Sequence, residues 1–159
     1  MSGWALYGCL GLGFASALVA GVFQSFSDFV MAGLARARPA GGIESMQQLN
    51  QTVLRSVFLT TFLFLVPLTT AFAVYSFVAL TGPARLLIIA AAALYVTSVF
   101  LVTMFGNVPM NNRLAALAHD SDAAREYWQR YTTNWTRWNH IRTLGAAATA
   151  ALYLLAITQ

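Results

Sequence analysis

Large aromatic side chains and one arginine recur at helical spacing in the last third of the chain. Trp128, Tyr131, Trp135, Trp138 and Arg142 follow one another at steps of three and four residues, which places them on one face of a helix. Rings and a guanidinium therefore share one wall. A wall that is mostly apolar with a few fixed polar groups is typical of a small-molecule binding site.

Further polar side chains stand close to this stripe in the sequence. Asn139 and His140 fall within it, and Asn107 and Asn111 bracket a proline some thirty residues earlier. A second interpretation stays open, because tryptophans and arginines also anchor membrane helices at the interface, and asparagines beside proline also cap helices. His119 lies in a polar turn and is interpreted as a solvated loop residue.

The composition predicts an integral membrane protein. The 159 residues are 58% hydrophobic and only 9% charged, and the mean hydropathy is +0.64, far above that of soluble domains. The net charge of +4 comes from arginines scattered over short polar segments, with no basic stripe, so a nucleic-acid partner is excluded. Cys9 is the single cysteine, which excludes an intramolecular disulfide.

Four apolar runs are long enough to cross a bilayer. The predicted fold is all-α, an integral membrane four-helix bundle forming a single domain over residues 1–159. The spans are expected at about 4–32, 53–80, 86–105 and 140–158, with an amphipathic helical extension at about 109–139 between spans three and four. A turn is predicted over 36–42, and one helix from about 44 to about 80.

The arginines predict the orientation of this bundle. The polar segments after spans one and three carry most of them, whereas Arg85 alone marks the opposite side. By the positive-inside rule the polar segments face the cytoplasm and both termini face outward, most simply in a bacterial inner membrane.

Span one has a face of small residues that becomes polar at its far end. Gly13, Ala17, Gly21, Gln24 and Asp28 recur at steps of three and four. Small residues let membrane helices approach closely, and an acid on a packing face needs a partner. We expect Asp28 either to point into the bundle or to be solvated at the interface, and Arg142 is its candidate ion-pair partner.

This topology collects polar residues from all four spans at one membrane boundary. We expect an apolar molecule to enter there from the lipid and to meet a few fixed polar groups. The residues predicted to lie at this depth are Gln24, Asp28, Asn50, Asn107, Asn111, Trp135, Asn139, His140 and Arg142.

Four segments resemble the anthrone oxygenases, a family of small membrane proteins. They are FSDFVMAGLAR, MQQLNQTVL, FGNVPMNNRLAAL and YWQRYTTNWTRWNHIRTLGA, in this order along nearly the whole chain. The most specific feature pairs Asn-x-Pro-x-Asn, at Asn107 to Asn111, with Trp-x-x-Trp-Asn-x-x-Arg, at Trp135 to Arg142.

The resemblance implies a membrane-bound, cofactor-independent oxygenase or oxidoreductase-like protein that acts on a lipophilic anthrone- or quinone-like molecule. No cofactor is predicted, and molecular oxygen is the co-substrate. His140 is then the first candidate for the base, with Asp28 as its orienting partner or as the base itself. Arg142, Asn107, Asn111 and Asn139 are candidate donors to the substrate oxygen, and Trp135 and Trp138 would stack on the rings.

Two other classes of function stay open. The first is a non-catalytic membrane subunit or assembly protein, working as a homo-oligomer or within a larger membrane complex, with small faces such as Gly145, Ala146 and Ala150 as partner surfaces. The second is a holder of haem or a metal through His140 with Asp28 or His119, although no recurring ligand spacing supports it.

Overall fold

The computed structural model describes residues 3–159, and these residues form helices without any strand. Four of the helices are long and apolar enough to cross a membrane. The predicted all-α, four-helix membrane bundle is therefore confirmed. The helices are α1 (Gly3–Arg36), α2 (Pro39–Thr52), α3 (Val57–Ala79), α4 (Gly82–Ala115) and α5 (Asp122–Ile157).

The polar helix α2 is separate from the apolar span α3. Pro39 starts α2 early, so the turn predicted over 36–42 shrinks to Ala37 and Arg38. Proline suits a first helical turn because its missing N–H would have no partner there. A short 3-10 turn and an extended Ser56 then end this segment, and the Ser56 hydroxyl accepts a hydrogen bond from the Leu59 N–H at 3.1 Å. The prediction of one continuous helix from about 44 to about 80 was wrong, because Ser56 caps a new helix.

The long helix α5 packs along both α1 and α4. A Cβ added at Gly145 would lie 2.5 Å from the Ser98 hydroxyl oxygen on α4, so glycine permits this close approach. Ala146 and Ala150 are buried on the same side. The small face of α5 is thus covered within the chain and is not the free partner surface that the subunit hypothesis requires.

The face of α1 that packs inward differs from the predicted one. Ala17, Gly21, Gln24 and Asp28 are exposed, and a Cβ added at Gly21 would meet nothing within 4 Å. The neighbouring face has the same periodicity and carries the ring of Phe23. Burial of this ring contributes more to the stability of the bundle than burial of small residues does. The inward residues of α1 are Gly13, Ser16, Ala20, Phe23 and, partly buried, Ser27.

We call the end of the bundle that holds α2 and the turn at 116–121 the polar end. Three rings of α5 stack in sequence there: Trp128 on Tyr131, with centroids 5.4 Å apart, and Tyr131 on Trp135, at 6.2 Å. Gln47 of α2 donates hydrogen bonds to the carbonyls of Leu114 and Leu117, at 2.8 and 2.9 Å. These bonds tie α2 over the end of α4.

Three π-helical turns interrupt the spans. They cover Phe26–Val30 in α1, and Tyr95–Leu101 and Thr103–Asn107 in α4. Such turns hold an extra residue and are frequent at functional sites. The first begins three residues after the inward Phe23, and the last ends at Asn107.

Candidate functional site

A cavity of about 330 Å³ lies inside the polar end of the bundle. Its size falls within the range of small-molecule sites, and most of its wall is apolar. All five helices contribute to it. The lining residues are Val22, Phe23, Phe26, Met46, Gln47, Leu49, Asn50, Gln51, Val53, Leu54, Phe58, Leu59, Phe62, Thr103, Val108, Asn111, Asn112, Ala115, Trp135 and Arg142.

Arg142 is buried in the wall of this cavity, with only 5% of its surface exposed. Its guanidinium carbon lies 4.3 Å from the centroid of the Phe23 ring and 5.1 Å from that of Trp135. Nη2 donates to the Asn139 side-chain oxygen at 2.7 Å, and Nη1 makes a longer bond of 3.4 Å to the Thr103 hydroxyl. Ring faces and neutral dipoles therefore surround the charge.

No carboxylate lies within 4 Å of Arg142 in the part of the chain that the structure describes, where the ion pairs are Arg125–Asp122 and Arg130–Glu126. The candidate partner Asp28 is exposed on α1. The ion pair expected between these two residues does not form, because the outward register of α1 carries the acid away from α5.

Asn139 holds Arg142 in place and joins α5 to α1. Its amide nitrogen donates to the Phe23 carbonyl and to the Ser27 hydroxyl, both at 2.7 Å, while its oxygen accepts from Arg142. The Ser27 hydroxyl is also 3.1 Å from that of Thr143. Asn139 is fully buried and does not line the cavity. The structure thus gives it a positioning role.

Asn111 fixes the indole of Trp135. Its side-chain oxygen accepts from the Tyr131 hydroxyl and from the Trp135 ring N–H, both at 2.8 Å. Since both acceptor positions of that oxygen are occupied, the amide NH₂ is the group left for a ligand. The Phe26 ring, with its centroid 5.6 Å from that of Trp135, extends the aromatic wall.

Asn107 lies behind this wall. Its amide nitrogen donates to the Trp135 carbonyl at 3.1 Å, which links α4 to α5. Its oxygen is buried and has no hydrogen-bond partner among residues 3–159. Asn50, by contrast, lies on α2 and lines the cavity directly.

The structure therefore brings Asn50, Asn111, Trp135 and Arg142 together at the cavity. Asn107 and Asn139 support them from behind, whereas Gln24, Asp28 and His140 are exposed and lie outside. His140 follows Asn139 and so points about 100° away around the helix. Its role as a base stays a prediction from the sequence.

The stripe predicted on α5 is shifted at one position. Trp128, Tyr131, Trp135 and Arg142 are buried, but Trp138 is 42% exposed and lies against Gly106 of α4. Asn139 takes the inward position instead.

Several cavity residues could not be found from the sequence. Phe23, Phe58 and Phe62 are phenylalanines within uniformly apolar runs, where nothing distinguishes a ring in the core from a ring in the lipid. Thr103 resembles any membrane threonine that bonds to its own helix. Ser27, a polar residue one turn after Phe23, lies on the inward face of α1, but Gln24 and Asp28 are polar too, so the sequence does not select between the two faces.

Fold and site together define an integral membrane helix bundle with an apolar cavity and a buried arginine in its wall. The family model of the anthrone oxygenases matches residues 54–152, more than half of the chain, so this protein belongs to the anthrone oxygenase family. The match includes Asn107, Asn111, Trp135, Asn139 and Arg142. Searches of curated proteins and of solved structures gave no match.

Proposed function

We propose that this protein is a membrane-bound oxygenase that oxidises a lipophilic, planar aromatic ketone of the anthrone or quinone type in the cavity at the polar end. Membership of the anthrone oxygenase family supports the reaction type. The observation that carries the proposal is Arg142, a buried cation without a carboxylate partner among the described residues, in a cavity walled by aromatic rings.

The reaction needs little from the protein beyond binding and electrostatics. The ring methylene of an anthrone loses a proton to give an electron-rich enolate, which reduces dioxygen directly and then combines with it. The methylene loses two hydrogen atoms and gains one oxygen atom, and the second oxygen atom leaves as water. The enzyme must stabilise the enolate oxygen and keep the ring system flat and dry.

The cavity supplies these functions as follows. Arg142 and the amide NH₂ of Asn111 donate to the substrate oxygen, and Trp135, Phe23 and Phe26 contact the rings. Asn139 keeps the guanidinium at the wall.

The first experiment is oxygen consumption by the detergent-purified protein supplied with emodin anthrone. Turnover above the spontaneous rate is expected, and Arg142→Gln should lower it by about 100-fold or more, as loss of an oxyanion donor does. The matched control is Arg113→Gln, because Arg113 stacks 4.4 Å from the centroid of the Tyr127 ring and does not line the cavity. Circular dichroism and gel filtration verify that both variants fold.

Two results would contradict the proposal. Oxygen uptake no faster than in empty micelles would remove this substrate class. Equal losses in Arg142→Gln and Arg113→Gln would remove the assignment of the site.

We also propose that the polar end faces the cytoplasm. The support is the distribution of arginines: seven of the nine precede Arg142 at this end or near it, and Arg85 stands alone at the other. The substrate then enters the cavity from the inner half of the bilayer.

A further inference from the structure

Arg142 is the one charged side chain among the described residues that line the cavity. The lining contains no aspartate, glutamate, histidine, lysine, cysteine or tyrosine. The site therefore holds a fixed positive charge and lacks any side chain that ordinarily accepts a proton near neutral pH.

The hydrogen-bonding capacity of Arg142 is largely unused. A guanidinium has five N–H bonds, and in residues 3–159 two hydrogen bonds use them, a short one to Asn139 and a long one to Thr103. The Nε atom is buried without an acceptor. Burying a cation without an anion or a full set of acceptors is unfavourable.

The surroundings of Arg142 leave it little freedom to find another partner. Phe23 and Trp135 contact the guanidinium through their rings, and Asn139 is itself held by the Phe23 carbonyl and by Ser27. The N–H bonds of the two terminal nitrogens that these contacts leave unused are the ones available to an occupant of the cavity. Asn111 can offer such an occupant only its amide NH₂, because its oxygen already accepts two hydrogen bonds.

We propose that the cavity binds its ligand as an anion, the phenolate or enolate of a planar polycyclic phenol, with the charged oxygen paired to Arg142. This inference rests on the proposed function and adds the ionisation state in which the cavity binds its ligand. No side chain of the cavity removes the proton. The proton leaves to water at the membrane boundary as the ligand binds, and Arg142 drives this ionisation by stabilising the anion.

The test uses emodin, a hydroxyanthraquinone whose colour changes from yellow to red when its phenol ionises. Its absorbance is titrated against pH in detergent micelles, with and without saturating purified protein. The colour change of the bound probe is expected at a pH lower by about 1 to 3 than in empty micelles, as a neighbouring opposite charge requires. A colour change at the same or a higher pH would overturn the proposal, since an apolar cavity without a stabilising charge favours the neutral phenol.

Variants assign the effect to Arg142. Arg142→Gln should weaken emodin binding by about 10- to 100-fold and abolish the downward shift, as expected for a lost charge-assisted hydrogen bond. Arg142→Lys should keep the direction of the shift, and Arg113→Gln should behave like the unmodified protein. If Arg142→Gln does not fold, the titration of the unmodified protein decides alone. A second ligand gives the matched control. The trimethyl ether of emodin cannot ionise, so it should fail to displace bound emodin from the protein.

The outcomes distinguish this inference from the proposed oxygenase activity. Anionic binding of emodin without any oxygen uptake on an anthrone would support the anion site and reject the oxygenase. Oxygen uptake accompanied by neutral binding of emodin would support the oxygenase and reject the anion site.

Discussion

Asn139 and Arg142 form a pair three residues apart on α5 in which each side chain has a distinct role. The asparagine uses its amide nitrogen to hold α1 and its oxygen to hold the arginine. Arg142 can therefore face the cavity while its own helix remains closely packed against α1. The two residues should differ in the effects of their substitution, one on stability and the other on ligand binding.

Replacing Asn139 should destabilise the bundle. Asn139→Ala removes two buried hydrogen bonds between α5 and α1 and leaves the Arg142 guanidinium without its short acceptor. We expect a loss of about 1 to 3 kcal/mol in the free energy of unfolding. Thermal unfolding in detergent measures it, with Asn134→Ala at an exposed position of the same helix as the control. Equal melting temperatures for the two variants would show that the pair contributes nothing.

His140 provides the opposite case. Because it is exposed and outside the cavity, His140→Ala should retain oxygen uptake within about twofold of the unmodified protein, as surface substitutions usually do. The measurement is the anthrone assay performed alongside Arg142→Gln. A loss as large as that of Arg142→Gln would restore His140 as the catalytic base predicted from the sequence.

At the scale of the helices, the position of α5 depends on how closely it approaches α4. At Gly145 the two helices approach so closely that Ser98 leaves no room for a side chain. The hydroxyls of Thr149 and Tyr95 bond across to neighbouring helices farther along the bundle, at 3.5 and 3.0 Å. The close approach of Gly145 to Ser98 therefore sets the distance between α4 and the cavity wall that carries Trp135 and Arg142.

Gly145→Ala should destabilise the protein although alanine is the better helix former. The added methyl group would overlap Ser98, and such overpacking costs about 1 to 3 kcal/mol. The control is Gly21→Ala, which meets open space and should be neutral or stabilise by up to about 1 kcal/mol. Chemical denaturation in mixed micelles compares the two. Adding Ser98→Gly should recover part of the loss caused by Gly145→Ala, because it removes the Ser98 atoms and leaves the contact with Val99. No recovery at all would exclude this steric explanation.

The sequence was sufficient to predict the number of spans, their order and the end at which the polar residues collect. Hydropathy determines these features, because only apolar runs of sufficient length can cross a bilayer. Asn111, Trp135 and Arg142 were also predicted correctly as neighbours, since the period of an α-helix places them on inward faces.

The register of α1 could not be predicted in the same way. In a membrane helix both faces are apolar, so the period that identifies a buried face in a soluble protein carries no information. Ala17, Gly21 and Asp28 fit a packing face as well as Ser16, Ala20 and Ser27 do. Only the contacts with α5 select between the two faces of α1. One such contact is the hydrogen bond from Asn139 to the Phe23 carbonyl, which the sequence does not predict.

For the whole molecule, the two ends differ in chemistry. The far end is closed by an apolar cluster that includes Cys9, Ile88 and Tyr153, while the polar end is covered by α2 and contains the cavity. The cavity that holds the buried Arg142 therefore lies at the polar end.

The proposed orientation can be tested by labelling single cysteines in cells. In a Cys9→Ala background, Thr81→Cys at the far end should react with a membrane-impermeant maleimide in intact spheroplasts. His119→Cys at the polar end should react only after lysis, because the arginines retain that end in the cytoplasm. The reverse pattern of labelling would place the cavity on the outer side.

The π-helical turns of α4 divide it into parts that no longer share one helical frame. Each extra residue turns everything beyond it by about 100° relative to an unbroken α-helix. The direction in which the site residues from Asn107 onward face, relative to the part of α4 before Tyr95, therefore depends on the number of residues between them as well as on side-chain chemistry. Removing one residue from Tyr95–Leu101 would delete no side chain that lines the cavity. It would nevertheless rotate Asn111 away from Trp135.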